Sequence, residues 1–181
     1  MRGSACLLIL AVPACYGGIE TGSGGPTSAE PAPDARTMDM VDREMISVAS
    51  HAGVFKRINT QPYPSTLGAF NIDVYASQDA RDYAKIHPET TGSHVTVPIG
   101  TLIVRQVLDA NGQVTKVTLM GKATAGYDPT LGDWWFGVTD PSGNPLSDDT
   151  GLQVGRLTQC HGCHVPRAED DYLFGVPAAD Q

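Results

Sequence analysis

The sequence predicts an α+β domain: helices first, then an antiparallel β-sheet, then one short helix that carries two cysteines. Three observations predict it. Val41, Met45, Val48, Ala52 and Phe55 recur at three- and four-residue steps, the stripe of an amphipathic helix. Thr101 to Leu108 and Val114 to Met120 are rich in β-branched and apolar residues. They flank Asp109-Ala110-Asn111-Gly112, which has turn chemistry, so the pair reads as a hairpin. Finally, Leu152 to Val165 reads as a short helix bearing Cys160-His161-Gly162-Cys163-His164.

The 181 residues are 41% hydrophobic and 18% charged, the composition of one soluble domain. The net charge of −8 and the absence of a Lys/Arg cluster argue against a nucleic-acid partner. Residues 1–14 read as a signal peptide. Arg2 gives a minimal positive start, and Ala5 to Val12 is an apolar run too short to span a bilayer. Val12-Pro13-Ala14-Cys15 resembles a bacterial lipobox, in which Cys15 becomes the first mature residue and bears lipid. Pro13 fits that pattern poorly, and ordinary signal cleavage is the rival reading. Either way the chain is expected to be exported, to a periplasm, free or membrane-anchored. Residues 15–36 are rich in Gly, Ser, Thr, Pro and Ala and read as a flexible linker. The folded domain is expected over 37–181.

Within it, Asp39, Asp42 and Glu44 precede the first helical stripe, and Lys56 and Arg57 end it, as the helix dipole favours. Asn59 to Leu67 reads as a loop set by two prolines. Phe70, Ile72 and Val74 alternate with polar residues as in a strand. Ser77 can cap a second helix carrying Ala80, Tyr83 and Ala84, stopped by Pro88. After the hairpin, Gly126 to Gly132 is a loop, Asp133 to Thr139 a strand, and Asp140 to Pro145 a turn.

Cys160 to His164 reads C-x-x-C-H, the attachment site of a c-type haem. Two thiols at this spacing can add across the two vinyl groups of one porphyrin, and the histidine after the second thiol can ligate the iron. Gly162 relieves crowding where the backbone nears the porphyrin edge. The last helix is therefore a haem-attachment helix, with Cys160, Cys163 and His164 as cofactor-binding residues and His164 as the metal ligand. A zinc half-site would need a second pair of ligands, and a thioredoxin-like site a βαβ context. Of the other cysteines, Cys6 and Cys15 both fall in the leader region.

Several phrases together resemble the cytochrome P-460 family, which includes cytochrome c′-beta. They are Asn59-Thr60-Gln61-Pro62-Tyr63-Pro64-Ser65, Val97-Pro98-Ile99-Gly100-Thr101, Gly132-Asp133-Trp134-Trp135-Phe136, and the motif followed by Asp171-Tyr172-Leu173-Phe174. The resemblance implies a small sheet-rich fold, commonly a homodimer, holding one covalent haem c with the iron open on one face. It implies a small nitrogen ligand, hydroxylamine or nitric oxide, and a redox partner protein. Members that oxidise hydroxylamine carry a lysine cross-linked to the porphyrin, placed on the strand after the Pro-x-Gly phrase. Thr101 to Asp109 holds no lysine; Arg105 is its only base, and a guanidinium is no nucleophile for such a bond. Lys116 and Lys122 fall on or after the next strand. The non-cross-linked, gas-binding branch is then as good a match.

A second axial ligand would instead make a six-coordinate electron carrier. His94, Met120 and His87 are the candidates; Met120 reads as core and His94 as solvated. His51 reads as a surface or helix-packing histidine, and His161 as a poor ligand to the same iron. Trp134 and Trp135 should point to opposite faces, one into the core or onto the haem, the other toward solvent or a subunit partner. Asp170 and Asp171 read as a solvated turn. Phe70, Tyr75 and Phe136 are candidates for the distal wall.

Overall fold

The computed structural model of the chain describes residues 55–181, apart from 67, 69, 78 and 79, together with 42, 43, 45 and 46. All of these belong to one unit, Pro33–Gln181. The leader (1–14), the linker (15–36) with Cys15, and His51 lie outside the described residues. So does most of the first expected helix, of which residues 42, 43, 45 and 46 are helical. No helix among the described residues is long and apolar enough to cross a membrane.

The described residues are mostly antiparallel sheet, with a short α-helix late in the chain besides the helical residues 42, 43, 45 and 46, an α+β arrangement. The strands are β1 (Lys56–Arg57), β2 (Tyr63–Pro64), β3 (Asn71–Ala76), β4 (Leu102–Leu108), β5 (Val114–Lys122), β6 (Trp134–Thr139), β7 (Ser147–Asp148), β8 (Gly151–Leu152) and β9 (Val154–Gly155). The main sheet runs β1-β3-β4-β5-β6-β9, with β2 beside β1 on the same edge of β3, and β7-β8 form a separate ribbon. Helix α1 (Thr158–His164) follows and continues into a 3-10 helix, Val165–Asp170.

The β4-β5 hairpin forms as its sequence suggests. Asp109 turns the chain by accepting hydrogen bonds from the Asn111 and Gln113 amides, both at 2.8 Å. Gly112 takes the left-handed conformation at φ 78° that such a turn requires. Other expectations fail for tertiary reasons. Lys56 and Arg57 are not a helix end; they pair with Ala76 and Tyr75, and the Arg57 guanidinium meets Asp73 across the ladder. Tyr63 and Pro64, expected in a loop, pair with Ile72 and Asn71. The second helix is a 3-10 turn, Arg81–Lys85, without a side-chain cap. The Ser77 hydroxyl is occupied elsewhere, accepting from the Leu102 amide at 3.1 Å.

Strand alternation sorts the sheet into two faces. One carries Ile72 and Val74, Ile103, Arg105 and Val107, Thr118 and Met120, Trp134 and Phe136. Its core is completed by Tyr63, Tyr83, Ile86, Leu157, Leu173 and Val176. The other carries Leu102, Val104, Leu119 and Trp135, packed with Val154 and against Met45, Ile46 and Phe55. Trp134 and Trp135 do point to opposite faces, but neither meets solvent: both are 0% exposed. The Trp135 indole donates to Asp42 Oδ1 at 2.8 Å, and the Trp134 indole to the Asp171 carbonyl at 2.8 Å. Gly121 lies opposite Trp135 in the ladder, and a Cβ there would sit 2.7 Å from the Met45 sulfur. A Cβ at Gly137 would sit 2.5 Å from the Trp135 ring. Gly137 thus leaves room for the Trp135 ring, and Gly121 for the Met45 side chain.

Gly137→Ala should therefore destabilise the domain by overpacking, by about 1–3 kcal/mol. Urea denaturation followed by tryptophan fluorescence would measure it.

Candidate functional site

The first face of the sheet does not pack flat against the rest of the chain. Between it and the segment running from α1 to the C-terminus lies a cavity of about 660 Å³, counting its open mouth. Val74, Ile103, Met120, Phe136 and Val138 form its sheet wall, with Tyr63 and Tyr83 at one side. Cys160 and His164 enter from α1, and Leu173, Phe174 and Gly175 close it from the chain's last stretch.

Residues four apart on a helix share a face, which is why Cys160 and His164 reach the cavity together. Cys163, between them in the sequence, is exposed and outside the lining. Cys160 is half-buried, and burial pushes its thiol up to about 11. A Cβ at Gly162 would have no neighbour within 4 Å, so packing inside the chain does not require glycine there.

The His164 ring is held on three sides. Phe136 and Phe174 meet it edge-on, with ring centroids 5.4 and 5.2 Å away. Its Nδ1 lies 2.6 Å from the Tyr172 carbonyl. A carbonyl can only accept, so Nδ1 carries the proton and the lone pair is on Nε2. Burial holds the imidazole below its ordinary range although the Tyr172 bond pulls the other way. The ring is thus neutral at pH 7, oriented, and able to ligate a metal through Nε2.

The carbonyl that orients this ring is itself fixed by an unusual turn. Asp171 and Tyr172 both have left-handed backbones, φ 53° and 63°. Asp171 is buried, not solvated. Its carboxylate pairs with Lys122 from β5 and accepts the Val97 amide at 2.9 Å. Its carbonyl takes the Trp134 indole, and the Lys122 ammonium lies 5.0 Å from that ring's centroid. Asp170 is buried too, accepting the Ser93 amide and hydroxyl, both at 2.6 Å, and pairing with Arg167 at 2.8 Å. Arg167 donates to the carbonyls of Leu173, Thr90 and His87. One guanidinium thus clips the final stretch to residues 87–90.

The remaining candidates separate cleanly. Met120 lines the cavity; His94 is exposed, and His87 Nδ1 lies 3.0 Å from the Val176 carbonyl, outside the lining. His161 Nε2 lies 3.4 Å from Asp128 Oδ2 and also stays outside it. Of the aromatic candidates, Phe136 lines the cavity, but beside His164. Tyr75 is on the opposite face of the sheet, and Phe70 packs at the margin of the core. Lys116 is exposed and Lys122 is engaged by Asp171, so neither lysine lines the cavity; Arg105 does. Tyr63, Tyr83 and Phe174 were missed as site residues. Tyr63 and Tyr83 lie in segments that read as a loop and a short helix, and no sequence pattern aims them at a common point.

Among the described residues, no three His, Cys, Asp or Glu side chains converge to hold a metal ion unaided. The donors present are the Cys160 thiol and one oriented imidazole in a mostly apolar cavity, with the Cys163 thiol exposed on the same short helix. That set fits a porphyrin, which brings four equatorial nitrogens of its own, better than a bare ion. Neither a scan against known protein families nor a search of curated proteins found a match for this chain.

Lys122→Met should cost about 3–5 kcal/mol, because it leaves the buried Asp171 charge without its partner. Chemical denaturation would measure it. The loss should exceed that from removing the exposed ammonium of Lys116 by at least about 2 kcal/mol.

Proposed function

We propose that the chain is a mono-haem c-type cytochrome of the cytochrome P-460 type that binds a small nitrogen ligand such as nitric oxide. One observation carries the reading. Cys160 and His164 enter a single apolar cavity from one helical turn, and the imidazole is already oriented by the Tyr172 carbonyl. Cys160 and Cys163 would hold the porphyrin through thioether bonds, and His164 Nε2 would be the proximal ligand. Bound there, the haem would supply a redox-active iron able to take up a small molecule. The chain's own part is to keep His164 neutral and oriented through Tyr172, to exclude bulk water with Phe136, Phe174 and Leu173, and to fix the depth of the group through the 171–172 turn.

Among the described residues no lysine lines the cavity to make a porphyrin cross-link. Arg105 lines the cavity; Lys116 and Lys122 share its face of the sheet but stay outside the lining, the first exposed and the second engaged by Asp171. This supports ligand binding without the cross-link over hydroxylamine oxidation. Export to a periplasm, a lipid at Cys15, a redox partner and pairing as a homodimer belong to the same proposal.

One observation favours a second reading. Met120 lines the same cavity as His164, so a six-coordinate electron carrier in which Met120 would also ligate the iron is the alternative.

Optical spectra of the purified haem-loaded protein decide between them. Ready uptake of carbon monoxide or nitric oxide by the ferrous form is the expected result. Inertness of the wild type, relieved by Met120→Ala, would establish the electron carrier instead. Cys160→Ala with Cys163→Ala should abolish covalent haem in a mass spectrum. A third porphyrin attachment at Lys116 or Lys122 would overturn the non-cross-linked reading.

A further inference from the structure

Besides Cys160 and His164, the cavity's polar lining is Arg105, Thr118, Tyr63 and Tyr83. Arg105 stands in the middle of β4 on the cavity face, across the ladder from Val74 on one side and Thr118 on the other. Its Nε donates to the Thr118 hydroxyl at 3.2 Å. Among the described residues no carboxylate meets its remaining N–H groups. Three other basic side chains of the domain are matched: Arg57 with Asp73, Lys122 with Asp171, and Arg167 with Asp170. A guanidinium in an apolar wall is unfavourable unless an anion completes it.

Two phenols line the cavity with it. Tyr63 and Tyr83 are buried and line the same cavity. Burial raises both, Tyr63 to about 12, with the Arg105 charge pulling each the other way. Both are therefore neutral O–H donors at any ordinary pH. Neither hydroxyl has a hydrogen-bond partner among the described residues. A planar fork and two hydroxyls thus share one cavity, and among the described residues no carboxylate meets them. A guanidinium fork matches a planar oxyanion with two oxygens.

We infer that Arg105, Tyr63 and Tyr83 form an oxyanion-binding corner of the cavity, selective for a small planar anion of the carboxylate or nitrite type. The inference rests on the proposed haem site for its setting. The carboxylate can come from solution or from the porphyrin's own propionate.

The test compares haem-loaded wild type with Arg105→Met, Arg105→Lys and Tyr83→Phe. Each ferric protein is titrated optically with formate and with nitrite, and each ferrous protein with carbon monoxide as a neutral control. Arg105→Met should weaken both anions about 10- to 100-fold, the loss expected for a charge-assisted pair, with carbon monoxide changed less than about twofold. Tyr83→Phe should weaken them several-fold. Arg105→Lys keeps the charge and loses the fork, so it should fall between wild type and Arg105→Met, and it serves where the methionine variant does not fold. Unchanged affinity for solution anions, with shifted propionate bands in the resonance Raman spectrum of the Arg105 variants, also supports the corner and assigns it to the porphyrin's carboxylate. Haem-loaded variants in which neither anion affinity nor propionate bands change would overturn this inference alone. A wild type that carries no covalent haem under conditions that load other c-type cytochromes would overturn the proposed function, and this inference with it.

Discussion

The hydrogen bond from His164 Nδ1 to the Tyr172 carbonyl is the constraint on which the site depends. A carbonyl points where its backbone points, and this backbone is held by two successive left-handed residues. Non-glycine residues in that region are costly, so the turn persists only because its surroundings fix it. Those surroundings are specific: Lys122 and Val97 hold the Asp171 carboxylate, and Trp134 holds its carbonyl. A chain of polar contacts therefore runs from the β5-β6 ladder to one ring nitrogen. The orientation of the imidazole is a property of the sheet, although the helix carries the residue.

The last dozen residues act as a strap across the open side of the cavity. Arg167 ties them to the carbonyls of His87 and Thr90, and Gly175 passes so close to Ile86 that a Cβ would lie 1.8 Å from its carbonyl oxygen. With φ at 71°, the position excludes a side chain on both counts. The strap supplies Phe174 and Gly175 to the lining, so the cavity is complete only when the end of the chain has docked.

Much of the frame could be read from residue order. The hairpin was legible because β-branched runs flank a turn whose Asp109 and Gly112 have defined roles. The opposed tryptophans were legible from strand period, and Cys160 and His164 from spacing. What failed depended on distant partners. Asp170 and Asp171 follow a helix and look solvated, yet their partners Ser93 and Lys122 lie 77 and 49 residues away. That both tryptophans are buried follows from Asp42 and from the 171–172 turn covering their respective faces, which local alternation does not encode. The aromatic corner of Tyr63 and Tyr83 was invisible for the same reason: burial is set by what folds over a residue, and these two come from different short elements on one side of the sheet.

A single layer of backbone separates the cavity from the second core packed against Met45 and Trp135. Neighbouring residues of one strand thus answer to different demands. Ile103 and Arg105 shape what can enter, while Leu102 and Val104 between and beside them serve only cohesion. Such a partition lets the lining drift toward a new guest without loosening the fold, so diversification within this architecture should concentrate on every second position of the central strands.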